Sequence, residues 1–154
     1  MTLRRKLIKD NLDTVFAAIT VVGGYKSTVG KVERAVRHFD DPNAAPRPFI
    51  GYAAGVRESF EYTCSDLAYV TTEFMLVAYV EGATQDGADN ALDAMWDDIV
   101  RALNQDQTRG ANAIRTVITE VVTNEGEMFD GGIWIRALQM RFQVEWDRHL
   151  RTST

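Results

Sequence analysis

Apolar and polar positions divide this chain into blocks with two different periods. From Leu67 to Val80 a strand is predicted, almost continuously apolar after Glu73. Successive side chains of a strand point to opposite faces. Phe74, Leu76, Ala78 and Val80 therefore share one face, and Met75, Val77 and Tyr79 the other. With both faces apolar, this half is expected mid-sheet and covered on both sides. The next block changes period. Ala88, Ala91, Leu92, Met95, Trp96, Ile99 and Leu103 recur at steps of three and four, a stripe wide enough for a helix to close a sheet. Its polar side carries Asp89, Asn90, Asp93, Asp97 and Arg101.

The same reading places the other elements. Leu3, Leu7, Ile8, Leu12, Val15, Phe16 and Ile19 predict a first helix, with Thr2 as N-cap and Gly23-Gly24 as its stop. Residues 28–38 alternate loosely and read as a strand. Residues 40–48 hold all three prolines and read as a loop. Strands follow over 49–54 and 56–64, and Ser65-Asp66 turns the second into the 67–80 strand as a hairpin. Tyr62, Thr63, Tyr69, Thr71 and Thr72 have the amphipathic character of a contact surface, so the hairpin is expected to project beyond the sheet. After a polar loop at 104–112 comes a strand over 113–124, then an acidic turn over 125–132 with Phe129 at its middle. The last strand alternates most clearly. Trp134, Leu138, Met140, Phe142, Val144 and Trp146 lie on one face with Arg136 out of place, and Gln139, Arg141, Gln143 and Glu145 lie on the other. The predicted order is α-β-β-β-β-α-β-β. It describes an α+β fold, a mostly antiparallel sheet with two helices on one face and a projecting hairpin. One domain over 1–147 and a polar tail over 148–154 are expected.

Composition narrows the class. The 154 residues are 45% hydrophobic and 25% charged, ordinary for a globular protein able to bury a core without disulfides or metal. The single cysteine, Cys64, allows no internal disulfide and no multi-cysteine metal site. No apolar run is long enough for a membrane span. The basic start is followed by Lys9, Asp10 and Asp13, which argues against a signal peptide. The net charge of −5 is uneven, with the first 37 residues basic and the remainder acidic. That polarity suits a basic part that meets an acidic part of a neighbour. Arg4, Arg5 and Lys6 oppose the macrodipole at the first helix N-terminus, which hints at an outside partner for them. No dense basic stripe with interleaved aromatics supports tight nucleic-acid binding.

Catalytic chemistry is thin. His38 lies near Asp40 and Asp41, but no second His or Cys is close in sequence, too few ligands for a metal. Cys64 reads as a small core hydrophobe. Asp86, Asp89, Asp93 and Asp97 form a row on the outward face of the second helix. Paired-carboxylate catalysis needs buried carboxylates. Asp86 and Asp89 instead suit the helix N-terminus, and Asp97 can pair with Arg101. The glycine pairs fit no phosphate loop, and Ser, His and Asp form no recognisable triad. The chain reads as a protein that works through its surfaces.

The order of these elements resembles the minor tail proteins of long-tailed bacteriophages, the tail terminators especially. The resemblance is carried by the basic amphipathic first helix, the Pro-rich loop, the strand end Phe74-Met75-Leu76-Val77-Ala78-Tyr79-Val80-Glu81 and the helix run Ala91-Leu92-Asp93-Ala94-Met95-Trp96-Asp97-Asp98-Ile99. The loop Asp106-Gln107-Thr108-Arg109-Gly110 and the ending Phe142-Gln143-Val144-Glu145-Trp146 complete it. It implies a structural virion protein of the tail or neck, assembled in the host cytoplasm, without cofactor or catalysis. Terminators form a hexameric ring that caps the growing tail tube, ends its polymerisation and meets neck or head-completion proteins. The implied partners are copies of itself, the tail tube protein and a neck protein, with DNA only passing through the lumen and no membrane. On this reading Arg4, Arg5, Lys6, Arg47, Tyr62, Tyr69 and Phe129 are expected at subunit or partner interfaces. Asp40, Asp41, Glu125, Glu127 and Asp130 are expected on ring or lumen loops, where acidity lets DNA pass without sticking. Two alternatives stand beside it. One is another neck or tail-completion subunit. The other is a small enzyme or ligand-binding domain between helix and sheet, for which Arg136 on the buried face is the one hint.

Overall fold

The computed structural model describes residues 3–38, 41, 44–64, 66–124, 127–129 and 131–149, with the backbone alone at 54, 55, 64, 127–129 and 149. The elements run α1 (Arg4–Ala17), β1 (Lys31–Glu33), β2 (Phe49–Cys64), β3 (Leu67–Gly82), α2 (Gln85–Gln105), β4 (Arg115–Thr123), β5 (Glu127–Phe129) and β6 (Ile133–His149). The sheet order is β1-β2-β3-β6-β4, and β5 pairs with β6. Only β1 and β2 run parallel; the other pairs are antiparallel. This is the expected α+β class with three differences in the elements.

First, the segments at 49–54 and 56–64 are one strand, not two. A register shift between Ala53 and Arg57 absorbs the extra residues without breaking the ladder. Second, β5 forms within the region expected as a turn, and β1 keeps only three of the residues expected over 28–38. The observed order is therefore α-β-β-β-α-β-β-β. Third, α1 ends at Ala17, well before Gly23-Gly24, and starts from Leu3 without a side-chain cap. Thr2, the expected N-cap, lies outside the described residues. Ile19 is still fully buried, because the chain turns back after the helix and Val29 N–H donates to the Ile19 carbonyl at 2.9 Å.

Both helices cover one sheet face. Ile8, Leu12 and Phe16 of α1 and Leu92, Met95, Ile99 and Leu103 of α2 meet Phe74, Leu76, Ala78 and Val80 of β3. Leu138, Met140, Phe142, Val144 and Trp146 of β6 complete that core, as the alternation predicts. Phe74 and Phe142 stack at 5.2 Å. Trp146 is the largest fully buried side chain, and its indole N–H donates to Thr72 at 2.9 Å, so burial leaves its polar atom satisfied. Trp96, placed on the α2 stripe by its spacing, is instead 38% exposed at the stripe's margin. At the turn into α2, a Cβ on Gly82 would lie 2.4 Å from the backbone nitrogen of Ala88, so only glycine lets the helix start this close to the strand.

The second face of mid-β3 is covered as its sequence requires, but by a loop. Val77 and Tyr79 pack with Phe49 and Ala44 against Ala137. The Tyr79 hydroxyl donates to the Arg37 carbonyl. The segment between β1 and β2 thus closes the half of the sheet where both faces are apolar.

Candidate functional site

The hairpin end of the sheet is different. β1 pairs with β2 only over Phe49–Gly51, so among the described residues no strand borders β2 from Arg57 to Tyr62 on its outer side. The outer side of β4 is equally free. Both edges present apolar side chains to solvent. On β2 these are Val56, Phe60 at 45% and Tyr62 at 69% exposure. At β4 they are Ile114, Val117 and Val122. Phe60 and Tyr62, two residues apart on one face, stack with centroids 6.3 Å apart. The hairpin is backed along its whole length by β6, whose pairing with β3 runs from Gly82↔Trp134 to Leu67↔His149. The expected projecting hairpin is therefore a three-stranded arm, and Arg148 and His149, expected in the polar tail, belong to β6.

The residues expected at interfaces fall into three groups. Arg4, Arg5 and Lys6 all have carboxylates of their own chain: Arg4 pairs with Asp147, Arg5 with Glu58 at 2.9 Å and Lys6 with Asp10 at 2.7 Å. The charge imbalance at the helix N-terminus is thus met inside the subunit. Arg47 reaches Glu81 at 3.4 Å. Tyr62 is the most open aromatic of the arm, and Tyr69 is half-buried, opposite Glu61 on one side and Asp147 on the other. Glu127 and Phe129 stand in β5, opposite Ile135 and Ile133. Asp41 accepts from Arg37 at 3.2 Å. Asp40, Glu125 and Asp130 lie outside the described residues, so the expected acidic loop cluster is described only at Asp41.

Arg136 pairs with Asp89 of α2 through one guanidinium nitrogen, while its Nε is buried without a hydrogen-bond partner among the described residues. Asp97, expected to pair with Arg101, instead meets Lys26 at 2.7 Å, and that bond raises the lysine's affinity for its proton. Arg101 donates to the Gly24 carbonyl at 2.7 Å and lies over the Tyr25 ring at 4.7 Å.

Other shifted groups concentrate where α1 meets β1. Arg34 bonds Asp10 at 2.7 Å and Asp13 at 2.6 Å, and these carboxylates hold its proton more firmly than usual. The hydrogen bond from Lys6, then that from Arg34, keeps the Asp10 carboxyl below the usual carboxylate range. Burial, and then its hydrogen bond to Asp13, pushes the Tyr52 hydroxyl up. Arg34 ties the segment just after β1 to α1, and Tyr52 ties β2 to α1, while Lys6 and Asp10 pair within the helix, so the cluster is a clasp.

Two buried charges escaped the sequence reading. Asp98 accepts the backbone N–H groups of Lys26 at 3.0 Å and Ser27 at 2.7 Å, holding the segment after α1 against α2. Its signal was its place three residues after Met95, inside the apolar stripe. Arg109 is fully buried and donates to the carbonyls of Leu103, at 2.6 Å, and Asp106. A cation there suits the negative end of the α2 dipole, although burial lowers its affinity for the proton. The signal was an arginine beside glycine just past a helix end.

The larger concavities are grooves on the surface. One of about 630 Å³ runs beside β1 and α1, lined by Asp13, Val29, Lys31 and Arg34. Another of about 360 Å³ crosses the open sheet face at His38, Met75, Tyr79, Val122 and Gln139. Among the described residues no three His, Cys, Asp or Glu side chains gather as metal ligands, and no helix is long and apolar enough to cross a membrane. What the arrangement offers is two free strand edges on opposite sides of one sheet, both flanked by exposed apolar side chains.

No protein-family model matches this chain, and no curated protein is similar to it. Among solved structures, the chain is similar to one described as "Virion of native gene transfer agent (GTA) particle", with a TM-score of 0.39 and 14% identity over 94% of this chain and 95% of that one. Both chains are covered almost end to end, while the superposition is loose.

Proposed function

We propose that this chain is a structural subunit of a phage-like virion, without catalytic activity. In the finer reading it is a tail terminator that caps the tail tube as a ring and joins it to the neck. The observation that carries this is the pair of free edges with unlike surfaces, the arm of β2 and the outer side of β4. A contact between two different patches of one subunit is heterologous, and repeated it generates a ring where the rotation closes and an open filament where it does not. The scarcity of catalytic groups and the α+β class agree with it. The hairpin arm and β4 meet neighbouring copies, and the loop carrying Asp41 and the strand β5 carrying Glu127 face the lumen or the adjoining ring. Tube protein is the discriminating reagent. A terminator stops polymerising tube at a fixed length and is found at its end by negative-stain imaging. Tube growth that ignores the added protein would remove the terminator role and leave only a generic virion subunit.

A further inference from the structure

We infer that neighbouring subunits join by strand addition, the free edge of β2 in one copy pairing antiparallel with the free edge of β4 in the next, with Ser59 opposite Val117. This deepens the ring reading and rests on it. An exposed edge offers unpaired backbone N–H and C=O groups, and neither edge is blunted by lysine or proline over Arg57–Tyr62 or Arg115–Thr123.

The register follows from three independent features. The first is sidedness. Arg115, Val117 and Glu120 stand opposite Glu145, Gln143 and Arg141, on the sheet face away from the helices. Arg57, Ser59 and Glu61 stand opposite Glu73, Thr71 and Tyr69, on that same face. With Ser59 opposite Val117, side chains from the same face meet throughout.

The second feature is charge. Arg57 and Glu61 have no ion-pair partner among the described residues. They are four positions apart. Arg115 and Glu120 are five apart in sequence, but the bulge between Ile118 and Glu120 removes one position from the ladder. The register therefore sets Arg57 against Glu120 and Glu61 against Arg115. Within one copy Glu120 bonds Arg141 at 3.5 Å, Arg141 bonds Glu73 at 2.9 Å, and Arg57 stands opposite Glu73. Charges thus alternate in sign along this row from β4 through β6 and β3 to β2, and Arg57 of one copy continues the row onto Glu120 of the next. Arg115, bonded to Glu145 at 2.8 Å, gains Glu61 of the neighbour in the same way.

The third feature is apolar. On the opposite face the register brings exposed Tyr62 to exposed Ile114, and Phe60 to Thr116. Aromatic and β-branched cross-strand pairs are among the favourable ones. One register satisfies sidedness, charge and apolar contact together.

The test is disulfide trapping in full-length protein carrying Cys64→Ser. Protein with Ser59→Cys is mixed with protein carrying Val117→Cys, oxidised mildly, and compared with Ser59→Cys plus Val122→Cys. The native mass of the unsubstituted chain is measured in parallel. Directly opposed residues place their Cβ atoms within reach of a disulfide. The expected result is a covalent pair between positions 59 and 117, little between 59 and 122, and none from Ser59→Cys alone. An oligomer of the unsubstituted chain without a 59–117 link would overturn the strand pairing and leave the ring reading standing. A monomer throughout would overturn both. A double-mutant cycle guards against poorly folded cysteine variants. Arg57→Gln or Glu120→Gln alone weakens self-association by about twofold to fivefold, and the two together weaken it no more than either alone; additive losses in folded protein count against the register.

Discussion

The two halves of β2 obey the same alternation and meet opposite fates. At the proximal end Phe49, Ile50 and Tyr52 are fully buried, the latter two beneath the helices and Phe49 beneath the loop before the strand. At the distal end Phe60 and Tyr62 occupy equivalent positions and are open to solvent. The difference lies in what the chain supplies as cover, because the side chains themselves are similar. Proximal apolar area stabilises the fold by removal from water within the subunit. Distal apolar area has no cover among the described residues, and its stacked pair on an unpaired strand edge is the surface that the proposed assembly would use.

That contrast can be broken from either side. The largest effect is expected in the shared core. Trp146→Ala removes the largest buried side chain and leaves Thr72 without its donor, so it should cost about 3–5 kcal/mol of stability in urea unfolding. Phe60→Ser with Tyr62→Ser should do the reverse. Folding stability should move by no more than about 0.5 kcal/mol, while self-association measured by sedimentation is lost. Equal destabilisation by both changes would erase the distinction between the halves. The smallest effect concerns the α2–β4 loop, away from both. Hydrogen bonds from Thr108, and then from Gly110, hold the Asp106 carboxyl below its ordinary value of 3.8. A depressed carboxyl stabilises the fold above that value, and this contribution is lost as pH falls through the folded-state pKa. Stability measured against pH should therefore fall on the acid side, and Asp106→Asn should flatten that limb.

How much of this was legible in the sequence depended on whether period alone fixed the answer. The alternation of β6 from Leu138 to Trp146 is reproduced residue by residue, and the α2 stripe is reproduced except at its margin, where Trp96 is exposed, because one face of each has a single apolar partner. Arg136, out of place in the alternation, finds a carboxylate partner in Asp89 of α2, which period alone does not reveal. Boundaries failed where tertiary contacts override local signals. A helix stop at Gly23-Gly24 was reasonable locally, but the return of Val29 to Ile19 ends the helix sooner. The stretch at Ala54–Val56 read as a gap, since a bulge and a break look alike until the partner strand is known. The site was less legible than the fold. Of the amphipathic residues expected on the hairpin surface, Tyr62 and Thr63 are exposed, Tyr69 and Thr71 are half-buried, and Thr72 is buried against Trp146; sheet order, which leaves β4 and distal β2 as edges, is a long-range property. The cations of the first helix looked unpartnered because Glu58 and Asp147 are distant in sequence.

The central claim is that this subunit associates head to tail through its two sheet edges. Native mass spectrometry of the full chain, with negative-stain images of the same sample, tests it most directly. A closed ring of several copies with a central hole, reduced to monomer by Phe60→Ser with Tyr62→Ser, is the predicted result. A wild-type chain that stays monomeric at every concentration, with or without tube protein, would contradict the account.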